Sequence, residues 1–319
     1  MNNTALLFPG QASQYVGMGR DLCETFPVVQ AMYDHASEIL GFDVAKMSFE
    51  GPAEELVQTV HTQPAIFVHS CVAFELARER GLEFTLAAGH SLGEYSALVA
   101  CGVLSYADGL VAVRDRARFM QDACEANPGT MAAVLGLDYD TVVDLCRRAS
   151  EGGVVVAANY NSANQIAISG DANGVKAASE LAKDAGAKRV IPLAVGGAFH
   201  SPLMEPSPER LTAVLNELTF TDAQTPVVIN VTAKPVLDAQ EIKTRLIEQL
   251  TSPVLWYPTL CNMRDAGIAR VVEMGPKKVL CGLAKSVLKD AELLSLDTVA
   301  DFESLFSATG VASGSDTAS

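Results

Sequence analysis

The stretch Thr85-Leu86-Ala87-Ala88-Gly89-His90-Ser91-Leu92-Gly93-Glu94 decides the fold. Thr85 to Gly89 is a short strand-like run, and Glu94 to Val103 reads as a helix of small residues. Between them, Gly89-His90-Ser91-Leu92-Gly93 is a G-x-S-x-G pentapeptide, in the strand-to-helix context that gives this motif meaning. A sharp turn of this kind brings the backbone close to its neighbours, which glycines two before and two after the serine allow. The helix N-terminus then offers free N–H groups and a positive dipole end to a developing oxyanion. Ser91 is the candidate nucleophile.

Outward from this turn, the chain alternates short apolar runs with helical periodicity. Ala5 to Phe8 reads as a buried first strand, ended by Pro9-Gly10, and Ala107 to Cys124 as an amphipathic helix. Alternation of this kind predicts an α/β core with a parallel sheet. The middle of the chain differs. Thr130 to Gly136, Val154 to Asn159, Gln165 to Ser169 and Arg189 to Leu193 read as strands, and Tyr139 to Ala149 and Asn173 to Ala185 as helices. That order, β-α-β-β-α-β, predicts a ferredoxin-like unit. Asn127-Pro128-Gly129 and Gly196-Gly197 would be its hinges. The last section returns to α/β, with strands at Val227 to Val231 and Ala269 to Glu273 and helices at Glu241 to Leu250 and Lys278 to Leu288. The expected organisation is therefore a discontinuous core, 1–127 and 198–306, with an inserted subdomain at 128–197. A cleft between the two is a common place for a ligand. The small, polar residues 307–319 are expected to form a disordered tail.

Composition narrows the function classes. The chain has 319 residues, 49% apolar and 19% charged, enough for a sizeable core. No apolar run reaches the roughly 20 residues of a membrane helix, and no basic region precedes the first apolar run as a secretory signal would require. A net charge of −15 argues against bulk nucleic-acid binding. Seven scattered cysteines without a Cys-x-x-Cys argue against disulfides and zinc, and for buried thiols in a reducing cytoplasm.

A serine nucleophile needs a base. Of five histidines, His35, His61 and His69 fall on helices or their edges, where surface or core roles suit them. His90 adjoins Ser91, but neighbouring side chains on a tight turn diverge. His200, in Gly196-Gly197-Ala198-Phe199-His200-Ser201-Pro202, sits on a loop after a strand, where catalytic groups gather. It is the candidate base, and spacing assigns no carboxylate to orient it. On the helix Ala107 to Cys124, Leu110, Val113, Ala117, Met120 and Cys124 form the apolar stripe. Arg116 falls on its flank and can reach inward, while Arg114 and Arg118 suit a solvated face paired with Asp115, Asp122 or water.

Several ordered motifs carry a resemblance. Phe8-Pro9-Gly10-Gln11-Ala12-Ser13-Gln14 and Gly89-His90-Ser91-Leu92-Gly93-Glu94-Tyr95-Ser96-Ala97 resemble the malonyl-CoA:acyl-carrier-protein transacylase family and the acyltransferase domains of fatty acid and polyketide synthases. Thr62-Gln63-Pro64-Ala65, Arg116 with Phe119-Met120-Gln121, Asn161-Ser162 with Gln165, Ala198-Phe199-His200-Ser201, Gln249 with Pro253 and Trp256, and Glu273-Met274-Gly275-Pro276 follow in the family's order, over roughly residues 4 to 300.

The resemblance implies a hydrolase-like α/β core with an inserted ferredoxin-like subdomain. It implies that Ser91 is the nucleophile and His200 the base, oriented by the backbone carbonyl of Gln249. It further implies an oxyanion hole made by the backbone N–H groups of Gln11 and Leu92, and a grip of Arg116 on the malonyl carboxylate. Gln63, Asn161 and Phe199 would line the substrate pocket. Leu92 and Ala198-Phe199 resemble malonyl-selecting forms. The implied reaction passes malonyl from malonyl-CoA to the phosphopantetheine thiol of holo acyl carrier protein, by a ping-pong route without metal or cofactor. A discrete cytoplasmic monomer is expected. Ala12 and Lys277 depart from the family, which often has glycine at both places. Lys188-Arg189 and Lys277-Lys278 suit either coenzyme A phosphates and an acidic carrier or an ordinary charged surface. The rival readings are a serine thioesterase, which has no need of Arg116, a non-catalytic acyl-binding partner, and a transacylase for another extender unit.

Overall fold

The computed structural model describes residues 3–307. Of the expected disordered tail, 307–319, residues 308–319 lie outside the described residues, and Ser307 instead closes a helix, Val299–Ser307. In chain order the strands are β1 (Thr4–Phe8), β2 (Leu86–Gly89), β3 (Thr130–Leu135), β4 (Val155–Ser162), β5 (Gln165–Gly170), β6 (Arg189–Pro192), β7 (Val227–Val228), β8 (Pro235–Val236), β9 (Arg270–Met274) and β10 (Glu292–Leu296).

They form two sheets, which makes this an α/β fold with a mostly parallel main sheet and a separate antiparallel one. The main sheet runs β10-β9-β1-β2-β7-β8, parallel throughout except for β8. All of β1 is buried, as a central strand covered by helices on both faces requires. The two-residue alternation of a strand divides its side chains. Leu6 and Phe8 join a core with the helices Thr59–Glu79, Gly93–Ala100 and Tyr106–Ala126. Ala5 and Leu7 join a second core with Trp256, Leu260 and Leu280, from the helices Trp256–Asp265 and Val279–Ala284.

The second sheet has the order β4-β5-β3-β6 and is antiparallel. The helices Tyr139–Ala149 and Ala172–Asp184 close a third core over it, so the element order is the expected β-α-β-β-α-β. The two chain crossings between the sheets lie side by side. A Cβ on Gly129 would strike Ala198, and one on Gly197 would strike Cys124. β4 also pairs with Val254, which lies outside the named strands just before the helix Trp256–Asp265: Tyr160 N donates to Val254 O and Val254 N to Ala158 O, each at 2.9 Å.

One expected strand is cut short. The apolar run Val227 to Val231 predicts a core strand, but β7 ends at Val228. Ala233 lies at φ +56°, Ala233 N bonds Ile229 O, and the chain folds back as β8. Asn230 thereby leaves the ladder at the carboxyl edge of the sheet, beside Ser91. The helix expected over Lys278 to Leu288 also contracts, to Val279–Ala284. No described helix is long and apolar enough to cross a membrane.

Candidate active site

β2 ends at Gly89 and the next helix begins at Gly93, with Ser91 between them at φ +52°. The glycines are there for space. A Cβ on Gly89 would collide with the backbone of Gly93, one on Gly93 with the carbonyl of Phe8, and one on Gly10 with the carbonyl of His90. Gly93→Ala is therefore expected to lower stability by about 1–3 kcal/mol through overpacking. A urea midpoint unchanged from wild type would contradict so tight a turn.

His200 also sits in the left-handed region, at φ +57°. Its loop is fastened by Ser201 Oγ, which donates to Ala198 O at 2.6 Å and accepts from Leu203 N. Strained φ values at the two residues that meet are characteristic of a functional site. His200 Nε2 lies 2.8 Å from Ser91 Oγ, and Nδ1 lies 2.8 Å from the carbonyl oxygen of Gln249. Nδ1 must carry the proton to bond a carbonyl, so Nε2 has a lone pair for the serine proton. This explains why no carboxylate could be assigned from sequence: the orienting group is main chain.

Burial, and then the positive charge of Arg116, pull the His200 imidazole down from its ordinary 6.5 to about 3. Between these values the unfolded chain holds a proton that the folded one lacks. This residue thus makes stability rise with pH across that window and fall on acidification. His200 is expected to stay neutral well below pH 6.5, as read by NMR titration of its ring protons. A midpoint at the ordinary value would mean a hydrated ring. His90 points elsewhere, as its place on the turn predicts. Its Nε2 lies 2.9 Å from Asn161 Oδ1, and burial lowers its pKa.

Arg116 is 1% exposed and reaches the same point from the helix Tyr106–Ala126. It donates from Nη1 to Gln63 Oε1 at 2.6 Å, and from Nη2 to Gln249 Oε1 at 2.9 Å and Ser91 Oγ at 3.0 Å. All three acceptors are neutral, and Arg116 forms no ion pair among the described residues. Arg114, partly exposed, and Arg118, exposed, pair with the buried Asp115 at 2.9 and 3.1 Å, while Asp122 pairs with Arg210.

Ser91, His200 and Arg116 open onto a cavity of about 380 Å³ between the two sheets, whose lining includes Gln11, Leu92, Asn161 and Phe199. The main-chain N–H groups of Gln11 and Leu92 have no hydrogen-bond partner among the described residues. Gln63 is not part of the lining; it stands behind Arg116 and holds it. A larger surface cleft of about 730 Å³, beside Arg264 and Lys289, includes none of these groups. The two departures from the family pattern both fall at positive φ, +83° for Ala12 and +65° for Lys277. Positive φ is the physical reason to expect glycine at such places. A side chain costs about 1–2 kcal/mol at such a place.

Three groups at the site escaped sequence reasoning. Asn230 Oδ1 accepts Ser91 N–H at 2.7 Å, and its Nδ2 donates to Gly89 O at 2.7 Å. Glu94 is fully buried, accepts Asn230 N–H at 2.8 Å, and is raised to about 7 by desolvation. The Gln249 side chain adds a bond from Nε2 to Ser91 O at 3.1 Å. The one available signal was a polar Asn at the end of an apolar strand.

A hydroxyl bonded to a neutral imidazole, two free N–H groups and an unpaired cation together suit attack on a carbonyl whose acyl group carries a negative charge. The family model of the acyl transferase domain matches residues 5–303. A Bacillus subtilis malonyl CoA-acyl carrier protein transacylase is 46% identical over 90% of this chain and 91% of its own length. The crystal structure of a Vibrio cholerae acyl carrier protein S-malonyltransferase superposes with a TM-score of 0.92, at 41% identity over 95% of this chain and 99% of that one. A malonyl-transacylase in complex with a type II polyketide synthase acyl-carrier protein has the same TM-score, at 37% identity over 96% of this chain and 99% of that one.

Proposed function

The chain belongs to the acyl transferase family of malonyl CoA-acyl carrier protein transacylases, and from that premise we propose that it transfers malonyl from malonyl-CoA to the phosphopantetheine thiol of acyl carrier protein. The observation that carries the proposal is Arg116, a buried guanidinium that forms no ion pair among the described residues, 3.0 Å from Ser91 Oγ. A fixed cation there selects an acyl group with a free carboxylate and leaves its thioester carbon beside the serine.

Neutral His200 takes the Ser91 proton as Oγ attacks the thioester carbon. The oxyanion is held between the N–H groups of Gln11 and Leu92. The C–S bond breaks, the imidazolium returns its proton to the coenzyme A thiolate, and a malonyl-serine ester remains. The carrier thiol then gives its proton to His200, attacks the ester and reverses the steps. Every proton and electron pair in this ping-pong cycle has a protein group or substrate atom to hold it, so the scheme calls for no metal or cofactor. Asn161 and Phe199 line the acyl pocket, and Gln63 acts through Arg116. A substrate carboxylate on Arg116 offsets part of the positive charge that depresses His200, and so makes the imidazole a better base when malonyl is bound.

The proposal extends to architecture. Residues 1–127 and 198–306 form a hydrolase-like core, and 128–197 a ferredoxin-like insertion; the strand order of the second sheet supports this. Its setting is a cytoplasmic monomer in fatty acid or polyketide synthesis. The test is to mix the protein with malonyl-CoA or acetyl-CoA, add holo carrier protein, and follow intact masses. Malonyl on Ser91 and then on the carrier, with little acetyl, is expected. Free malonate without carrier loading would make the protein a thioesterase instead.

A further inference from the structure

The main chain of Ser91 is gripped by side chains on both sides. On one side its N–H donates to Asn230 Oδ1 at 2.7 Å. On the other its carbonyl accepts from Gln249 Nε2 and from the Glu94 main-chain N–H, each at 3.1 Å, so the Gln249 amide adds a second donor to the one the helix supplies. Asn230 is itself fixed at two points, through Gly89 O and the buried Glu94 carboxylate. Gln249 is fixed through Arg116 on its Oε1 and is fully buried.

The Ser91 carbonyl and the Leu92 N–H belong to one peptide group. Because that group is planar and trans, fixing the direction of the carbonyl fixes the N–H in the opposite direction. A donor on the carbonyl also polarises the same peptide and strengthens its N–H as a donor. Ser91, at φ +52°, is held in a sparsely populated conformation that relaxation of the turn would undo.

We propose that the side-chain amides of Asn230 and Gln249 are positioning residues that clamp the Ser91 main chain from both sides and aim the Leu92 N–H at the developing oxyanion. The clamp rests on the proposed roles of Ser91 and Leu92. It gives Gln249 work beyond orienting His200, which uses only its backbone oxygen and survives any substitution of the side chain. Gln249 also joins the clamp to Arg116, so the grip on a substrate carboxylate and the aim of the oxyanion donor share one amide. Asn230 shares no hydrogen bond with Arg116 among the described residues.

The two residues should therefore separate in experiment. Single-turnover formation of acyl-enzyme is measured at saturating malonyl-CoA and at saturating acetyl-CoA for wild type, Asn230→Ala and Gln249→Met, with folding followed by circular dichroism. Both variants are expected to acylate about tenfold to a hundredfold more slowly at saturation, with KM changed by less than about threefold. Asn230→Ala should keep the malonyl-to-acetyl rate ratio of wild type, whereas Gln249→Met should lower it. Folded variants that acylate at the wild-type rate, or a loss confined to KM, would overturn the clamp. If Asn230→Ala does not fold, Gln249→Met carries the test, since it leaves the bonds among Asn230, Gly89 and Glu94 in place. A wild-type protein that forms no malonyl-enzyme would remove the functional reading and the clamp with it.

Discussion

Ser91→Ala is expected to take up no malonyl group when mixed with malonyl-CoA, and to transfer malonyl about five to six orders of magnitude more slowly than wild type. The expectation follows from geometry. Ser91 Oγ meets both His200 Nε2 and Arg116 Nη2, at 2.8 and 3.0 Å. Removing it leaves the imidazole and guanidinium in place with nothing to acylate. The pocket and Arg116 persist, so the variant should still bind malonyl-CoA with an affinity within a few-fold of wild type. Isothermal titration gives the affinity and intact mass the acylation. A covalent malonyl group in the variant would place the nucleophile elsewhere. Loss of binding along with acylation would mean that the substitution had disturbed the turn.

Arg116→Ala should lower the malonyl-to-acetyl ratio of kcat/KM at least tenfold. A charge-assisted hydrogen bond is worth about 1.5–3 kcal/mol, and each 1.4 kcal/mol is a factor of ten. Arg116 can make two such bonds to one carboxylate, from a place 1% exposed where water competes little. The neutral partners Gln63, Gln249 and Ser91 hold the guanidinium without cancelling its charge. The variant also loses the positive charge that depresses His200, whose pKa should rise towards the ordinary value while burial still holds it below. Acetyl transfer is therefore expected to be kept or increased while malonyl transfer falls. An unchanged ratio would discard the carboxylate grip.

Much of this was legible in the chain. The order of strands and helices follows from local apolar period, and Tyr139–Ala149 matches its expected bounds. The Ser91 turn follows from contiguous residues, because the steric need for Gly89 and Gly93 is local to the backbone around them. His200 and Arg116 could be singled out by residue type and place, and their roles were supplied by the resemblance. The helical wheel put Arg116 only on the flank of the apolar stripe, whereas the fold buries it completely.

What the tertiary structure alone decided are the bonds that close over long separations. Asn230 meets Ser91 across 139 positions and Gln249 meets it across 158. Neither pairing has a periodic signature, because each depends on where β7 stops and how the chain returns after it. Gln63 resembled a pocket residue in the motif and became the support of Arg116, since the turn of its helix points it behind the cavity wall. Periodicity and turn chemistry are properties of neighbours in the chain, so the sequence states them outright. The placing of a side-chain amide against a distant peptide group is set only when the sheets and helices pack, and there the structure had the deciding word.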